Sequence, residues 1–65
     1  MKIKIIITTT NSNETANSIA EYLVENNLSP CVQMINNIQS SYKWKGKLDK
    51  SHEIMLVIKT IPENV

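Results

Sequence analysis

The clearest pattern in the chain is an alternation of side-chain character between positions 38 and 45. Successive side chains of a β-strand point to opposite faces, so this alternation predicts an amphipathic strand. One face would carry Ile38, Ser40, Tyr42 and Trp44, and the other Gln39, Ser41, Lys43 and Lys45. The apolar parity continues upstream through Val32 and Met34. Because strands typically have about 5–6 residues, one this long needs a neighbouring strand and a cover for its aromatic face.

Two elements are predicted before this strand. Residues 2–9 predict a first strand, because isoleucines occupy alternate positions and the intervening positions change from lysine to isoleucine. A helix follows, since apolar residues recur at steps of three and four at Ala16, Ile19, Ala20, Leu23 and Val24. Asn11 and Glu14 have the spacing of a capping box at its start, and Pro30 prevents its continuation.

The second half of the chain predicts two more strands and a further helix start. The long strand occupies residues 31–44, and Asn36-Asn37 marks a site for a bulge within it. Residues 45–52 contain the only glycine and predict a hairpin connection. Residues 53–60 predict a third strand, whose apolar run at 54–58 lacks alternation, as expected for a strand buried on both faces. Thr60, Pro62 and Glu63 have the spacing of a second helix start.

The order strand, helix, strand, strand, helix start predicts an α+β fold. It matches the opening of a βαββαβ ferredoxin-like domain, in which helices pack on one face of an antiparallel sheet. We expect residues 1–65 to form a single, incomplete domain that lacks the C-terminal part of such a fold. A chain of this length buries a limited fraction of its surface, which favours additional burial against partner subunits.

Composition and charge narrow the functional classes. The net charge of +1 argues against a general attraction to nucleic acid or to an anionic membrane. The first ten residues contain too short an apolar run for a signal peptide or a membrane span. Cys31 is the only cysteine, so no intramolecular disulfide can form. We therefore expect a cytoplasmic protein with no nucleic-acid or membrane partner.

Few residues suggest chemistry. Cys31 could supply a thiolate to a soft metal, but a single cysteine opening a strand is more often a small buried hydrophobe. His52 has no second ligand at a fixed short spacing, which favours a solvated histidine in the hairpin connection. Cys31, His52 and Asp49 could be written as a nucleophilic triad, but any small protein with one of each allows that.

Two binding interpretations are also weak. Lysines interleaved with Tyr42 and Trp44 suggest single-stranded nucleic acid, but alternation places Lys43, Lys45 and Lys47 away from the aromatic face. A solvated lysine face over a buried aromatic face fits the pattern better. The threonines at 8–10 could offer hydroxyls to an anion at a helix start, yet no glycine-rich loop accompanies them.

Several segments together resemble the CutA family of divalent-cation tolerance proteins. The resemblance lies in Glu14-Thr15-Ala16, Leu23-Val24, Leu28, Cys31-Val32, Ser40, Tyr42, Trp44, Gly46-Lys47, Glu53 and Ile58-Lys59-Thr60. The Tyr-x-Trp-x-Gly-Lys run followed by Ile-Lys-Thr is its most specific part. It covers nearly the whole chain and corresponds to the N-terminal portion of a typical member.

This resemblance implies a non-enzymatic homotrimer subunit that takes part in the cellular response to metal ions, chiefly copper. Tyr42 and Trp44 would then lie at or near the subunit contact, while Cys31 would pack in the core. Family members that bind copper have a thiol near the position of Thr8 and histidines further along the chain, so no metal site transfers to this sequence. A divalent metal such as copper is the only cofactor that the resemblance suggests.

Two other classes of protein are alternatives, the first with the same general fold. A module similar to PII-type regulators would bind an anionic metabolite in clefts between subunits. An enzyme of acylphosphatase type would need a guanidinium in a phosphate-binding loop, and the chain contains no arginine.

Overall fold

The structure of the protein is a computed structural model, and it describes residues 2–64. The elements are β1 (Lys4–Thr10), α1 (Asn13–Glu25), β2 (Cys31–Trp44), β3 (Lys47–Thr60) and a 3₁₀ turn (Pro62–Asn64). The three strands form one antiparallel sheet in the order β1-β3-β2. The predicted α+β class and the ferredoxin-like element order are confirmed.

Helix α1 begins one residue later than the capping box predicted. Ser12 is the N-cap, and its hydroxyl accepts a hydrogen bond from the amide of Thr15 at 3.1 Å. Asn11 therefore lies outside the cap. The helix ends before Pro30, as predicted. Asn27, two residues after the helix, adopts the left-handed conformation with φ 57°. The amide of Leu28 then bonds to the carbonyl of Leu23, which closes the helix in the manner of a Schellman motif.

The core lies between α1 and one face of the sheet. Leu56 is fully buried at its centre, and α1 contributes Ala16, which is also fully buried. The cluster consists of Ala16, Ile54, Leu56 and Ile58, with Ile19, Leu23, Val32 and Met34 packed around it. Val24 was predicted to belong to the apolar stripe of α1, but it is exposed.

The hairpin between β2 and β3 is much tighter than the predicted connection over residues 45–52. Only Lys45 and Gly46 form the turn, with φ 51° and 77°, and β3 begins at Lys47. Two central residues with positive φ define a type I′ turn, whose twist matches that of the adjoining strands. His52 consequently lies within a strand, so its placement in a loop was wrong.

A bulge in β2 changes which residues share a face. Ile35 lies opposite Met55 and Ile38 lies opposite Glu53, so β2 uses one residue more than β3 over this interval. Asn37 has φ 60°, which confirms the bulge predicted at Asn36-Asn37. An extra residue reverses the alternation. The upstream residues Val32 and Met34 therefore face α1, whereas the downstream set from Ile38 to Trp44 faces the other way, and the single continuous apolar parity was wrong.

The end of β3 is joined to the loop after α1 by hydroxyl groups. Thr60 is 3% exposed and its hydroxyl donates to the carbonyl of Leu28, so it does not cap the 3₁₀ turn as predicted. Pro62 opens that turn, at the position where the sequence predicts the start of a helix. Among residues 2–64, no helix has the length and apolar character of a membrane span.

Candidate assembly surface

The sheet has one face under α1 and one face without cover, which we call the open face. Residues directly opposite each other in the ladder share a face. The pairs Ile7–Val57 and Ile35–Met55 therefore lie on the side opposite the core residue Leu56. Three isoleucines of this face are exposed, at 59% for Ile5, 63% for Ile7 and 45% for Ile35. A contiguous apolar surface of this kind is typical of a protein contact.

The central strand β3 shows the same asymmetry most clearly. Its sequence predicts burial on both faces, and the side chains Ile54, Leu56 and Ile58 on the α1 side are buried. Met55 and Val57 on the open face remain partly exposed. Within residues 2–64, no helix or strand covers the apolar side chains of this second face.

The hairpin extends beyond the three-stranded part of the sheet, and we call this extension, residues 38–53, the arm. The last residue of β1, Thr10, lies opposite Ile54, so β3 has only β2 as a neighbour before that point. Residues 41–50 are all exposed. The arm gives the molecule a long axis of 43 Å. A two-stranded ribbon is marginally stable in water, so contact with another surface would stabilise it.

The aromatic side chains lie on the arm, on the side that continues the open face. Tyr42 lies opposite Asp49 and Trp44 lies opposite Lys47. Tyr42 is 42% exposed and Trp44 is 63% exposed. The bulge places both on the open-face side, because it shifts the even-numbered residues of β2 across the sheet. The open face and the aromatic side of the arm thus form one continuous surface.

The arm lysines are divided between its two sides. Lys43 lies opposite Leu48 on the side away from the aromatic residues, as predicted. Lys47, in contrast, lies directly opposite Trp44 and shares its side, so the predicted separation was wrong for this residue. Lys45 occupies the turn.

A polar group joins all three strands where the arm leaves the sheet. Glu53 is half-buried on the open face. One carboxylate oxygen accepts a hydrogen bond from the hydroxyl of Thr9 on β1 at 3.2 Å, and the other accepts one from the hydroxyl of Ser40 on β2. Sequence patterns do not predict this arrangement, because the three residues are distant in the chain and none is unusual in type.

Cys31 does not pack in the core. It is exposed at the start of β2, opposite Lys59 on the open face. The buried position next to it belongs to Ser29, which is 1% exposed. Within residues 2–64, no group of three or more His, Cys, Asp or Glu side chains is arranged to hold a metal ion. The interpretation of Cys31 as a metal ligand therefore gains no partner ligands.

The triad of Cys31, His52 and Asp49 is not assembled. His52 lies opposite Gln39 and Asp49 lies opposite Tyr42, which places them on opposite sides of the arm. Cys31 lies opposite Lys59, seven positions along β3 from His52, or roughly 23 Å at the rise of an antiparallel strand. No nucleophilic chemistry follows from these three residues.

A shallow recess lies between the N-terminus of α1 and the bulge. Its volume is about 390 Å³, and its lining consists of Asn11, Asn13, Asn36, Asn37, His52, Glu53 and Ile54. Amide groups predominate in it. The threonines at 8–10 do not line it.

Known proteins resemble this chain in sequence and in fold. The sequence model of the CutA1 divalent ion tolerance protein family matches residues 4–65. A CutA homologue from Xenopus laevis is 51% identical over 45 residues, which are 69% of this chain and 30% of that protein. The divalent-cation tolerance protein CutA of Thermus thermophilus is 35% identical over 57 residues, which are 88% of this chain and 55% of that protein.

Solved structures agree with these sequence matches. The crystal structure of the divalent ion tolerance protein CutA1 from Ehrlichia chaffeensis superimposes with a TM-score of 0.89 at 32% identity. That superposition covers 95% of this chain and 58% of the Ehrlichia chain. The chain thus spans little more than half the length of this Ehrlichia protein.

Proposed function

The chain belongs to the CutA1 family of divalent ion tolerance proteins, and we propose that it is a non-enzymatic, cytoplasmic subunit of a homotrimer that supports cellular tolerance of divalent cations, copper among them. The family is described by a tolerance rather than by a reaction. Since the chain spans 55% of its Thermus thermophilus relative, both the trimer and the tolerance role are proposals for this chain.

One observation carries the trimer proposal. The open face and the aromatic side of the arm form a continuous surface with Val57 near its middle and Trp44 at its far end. Covering it with two further copies would bury the exposed isoleucines and give the arm a neighbour. Each square ångström of apolar surface removed from water contributes about 25 cal/mol. The subunit contact would therefore include Tyr42 and Trp44.

Sedimentation velocity of the 65-residue chain tests the assembly. We expect a species of three times the monomer mass of 7.4 kDa, with Trp44 emission shifted to the blue by burial. A compact monomer whose tryptophan emits as it does in water would contradict the trimer. Neither measurement needs a label, because Trp44 is the only tryptophan and absorbs together with the two tyrosines in the ultraviolet.

The metal role is tested separately, because residues 2–64 contain no group of three or more His, Cys, Asp or Glu side chains arranged to hold a metal ion. Cells that lack their own family member would be challenged with graded copper, zinc and cobalt salts, with and without expression of this chain. We expect the chain to raise the copper concentration that halves growth. Growth unchanged at every salt concentration would contradict the tolerance role without affecting the trimer proposal.

A second candidate is a small-ligand-binding module similar to PII-type regulators. The recess between α1 and the bulge favours it, because Asn11, Asn37 and His52 offer several hydrogen-bonding groups there. Thermal unfolding in the presence of carboxylate or phosphate metabolites separates the two candidates. A ligand-dependent rise in the unfolding temperature supports the module, and a rise with copper alone supports the tolerance role.

A further inference from the structure

Glu53 lies at the point where the architecture changes from three strands to two. The last pair between β1 and β3 is Thr10 with Ile54, and Glu53 is the next residue of β3 toward the arm. Ile38, the first β2 residue after the bulge, lies directly opposite it. The direction of the arm relative to the sheet is therefore determined within a few residues of this carboxylate.

The hydrogen bonds of Glu53 connect both neighbouring strands at this junction. Thr9 on β1 and Ser40 on β2 each donate a hydroxyl hydrogen to a different oxygen of the same carboxylate. An ionised carboxylate accepts without donating, so the two hydroxyls can be held at once. Bonds to a charged acceptor are also stronger than bonds between neutral groups. Ser40 belongs to the arm and Thr9 belongs to the three-stranded sheet, so this contact joins the two parts.

We propose that Glu53 is a positioning residue, which fixes the direction of the arm through Thr9 and Ser40 and so prepares the arm to contact another copy of the chain. The second half of this inference rests on the trimer proposed above, whereas the first half concerns a single chain. Glu53 is a charged residue on a largely apolar face. A carboxylate on an apolar face that becomes covered must lose water, and a leucine there would avoid that cost.

The two substitutions Glu53→Leu and Glu53→Gln separate positioning from simple burial. Leucine removes both acceptors, while glutamine keeps a similar shape and can still bond both hydroxyls. Asp49→Leu is the matched control, because Asp49 is a carboxylate on the same side of the arm that bonds Tyr42 and not β1.

Pulsed electron spin resonance measures the arm direction. Nitroxides would be attached at Ser41→Cys on the arm and Glu21→Cys on α1, both exposed positions, in a Cys31→Ser background. Dilution with unlabelled chain limits the signal to distances within one copy. We expect the distance distribution to become at least twice as broad in Glu53→Leu, with Glu53→Gln and Asp49→Leu close to the unsubstituted protein.

Sedimentation of the same variants measures the consequence for assembly. We expect Glu53→Leu to dissociate at a concentration at least tenfold higher than the parent, although leucine is the more apolar residue. An unchanged distance distribution in Glu53→Leu would overturn the positioning role. A broadened distribution together with equal or tighter assembly would overturn the link to the second copy. If the parent chain is itself a monomer, the trimer proposal fails, and the spin-label distances still decide the role of Glu53.

Discussion

At the scale of single residues, the hydroxyl of the buried Ser29 joins two segments of backbone. The side chain is 1% exposed and accepts a hydrogen bond from the amide of Cys31 at 3.3 Å. Its oxygen also lies within bonding distance of the Cys31 and Lys59 carbonyls, so it joins the loop after α1 to β3. Every buried side-chain polar atom within residues 2–64 has a hydrogen-bond partner, and the partners of Ser29 are backbone groups.

Replacing Ser29 with alanine should therefore destabilise the fold. Loss of a buried hydroxyl leaves backbone groups without their partner, which costs about 1–3 kcal/mol. Urea unfolding with an unchanged slope would report the difference. Ser41→Ala is the control, since Ser41 is exposed on the arm and its loss should change the free energy of unfolding by less than about 0.5 kcal/mol. Equal effects of the two substitutions would show that the Ser29 contacts contribute nothing.

The turn residue Lys45 offers a substitution in the opposite direction. It adopts φ 51° although it has a Cβ atom and no side-chain group that favours this region. Left-handed backbone costs most residues about 1–2 kcal/mol, whereas asparagine tolerates it. Lys45→Asn creates the Asn-Gly pair preferred in type I′ turns and should stabilise the protein by about 1 kcal/mol. Lys43→Asn on the adjoining strand is the control. If calorimetry shows the same gain in stability for both variants, the turn does not account for the effect of Lys45→Asn.

At the scale of elements, the bulge determines the side of the sheet that carries the aromatic residues. Inserting one alanine between Glu53 and Ile54 would give Asn37 a partner and make the pairing of β2 with β3 unbroken. Tyr42 and Trp44 would then point to the α1 side of the arm, because the added residue exchanges the faces of the β3 residues before it and of their β2 partners. We expect this variant to keep its helical circular dichroism but lose the trimer in sedimentation. Deleting Asn37 is the control, because it also removes the bulge but leaves Tyr42 and Trp44 opposite Asp49 and Lys47 on the open-face side, so the trimer should persist.

The same bulge marks the limit of what the sequence could predict. The helix, the three strands and the Asn36-Asn37 irregularity follow from periodicity and from residues that favour turns. The alternation pattern alone could not show that the irregularity reverses the faces, because that depends on how many β3 residues lie opposite it. The apolar run of β3 indicates that both faces of the strand are buried. It does not show the contacts of Glu53 with Thr9 and Ser40, because these residues are distant in sequence.

At the scale of the whole molecule, the chain has one face covered by α1 and an open face that also carries apolar side chains. The core around Leu56 lies under α1. Helix α1 covers neither the open face nor the arm, which carry exposed apolar side chains. Sheet edges and apolar faces of this kind promote uncontrolled association unless they are covered in a defined way. A closed ring of three copies would cover these surfaces and also stop further association. Each copy would use the same surfaces, and the ring would leave no growing end.

A charge at the centre of the open face tests this view most directly. Val57 points to the open face next to Met55 and contributes nothing to the core under α1. Val57→Lys should leave the helical circular dichroism intact, because the lysine ammonium can remain in water in a single copy. In a trimer the same charge would be buried without a partner, so we expect sedimentation at the monomer mass and red-shifted Trp44 emission. Asn17→Lys on the exposed side of α1 adds the same charge and should leave the assembly unchanged. A Val57→Lys protein that still sediments as a trimer would mean that the copies meet through another surface.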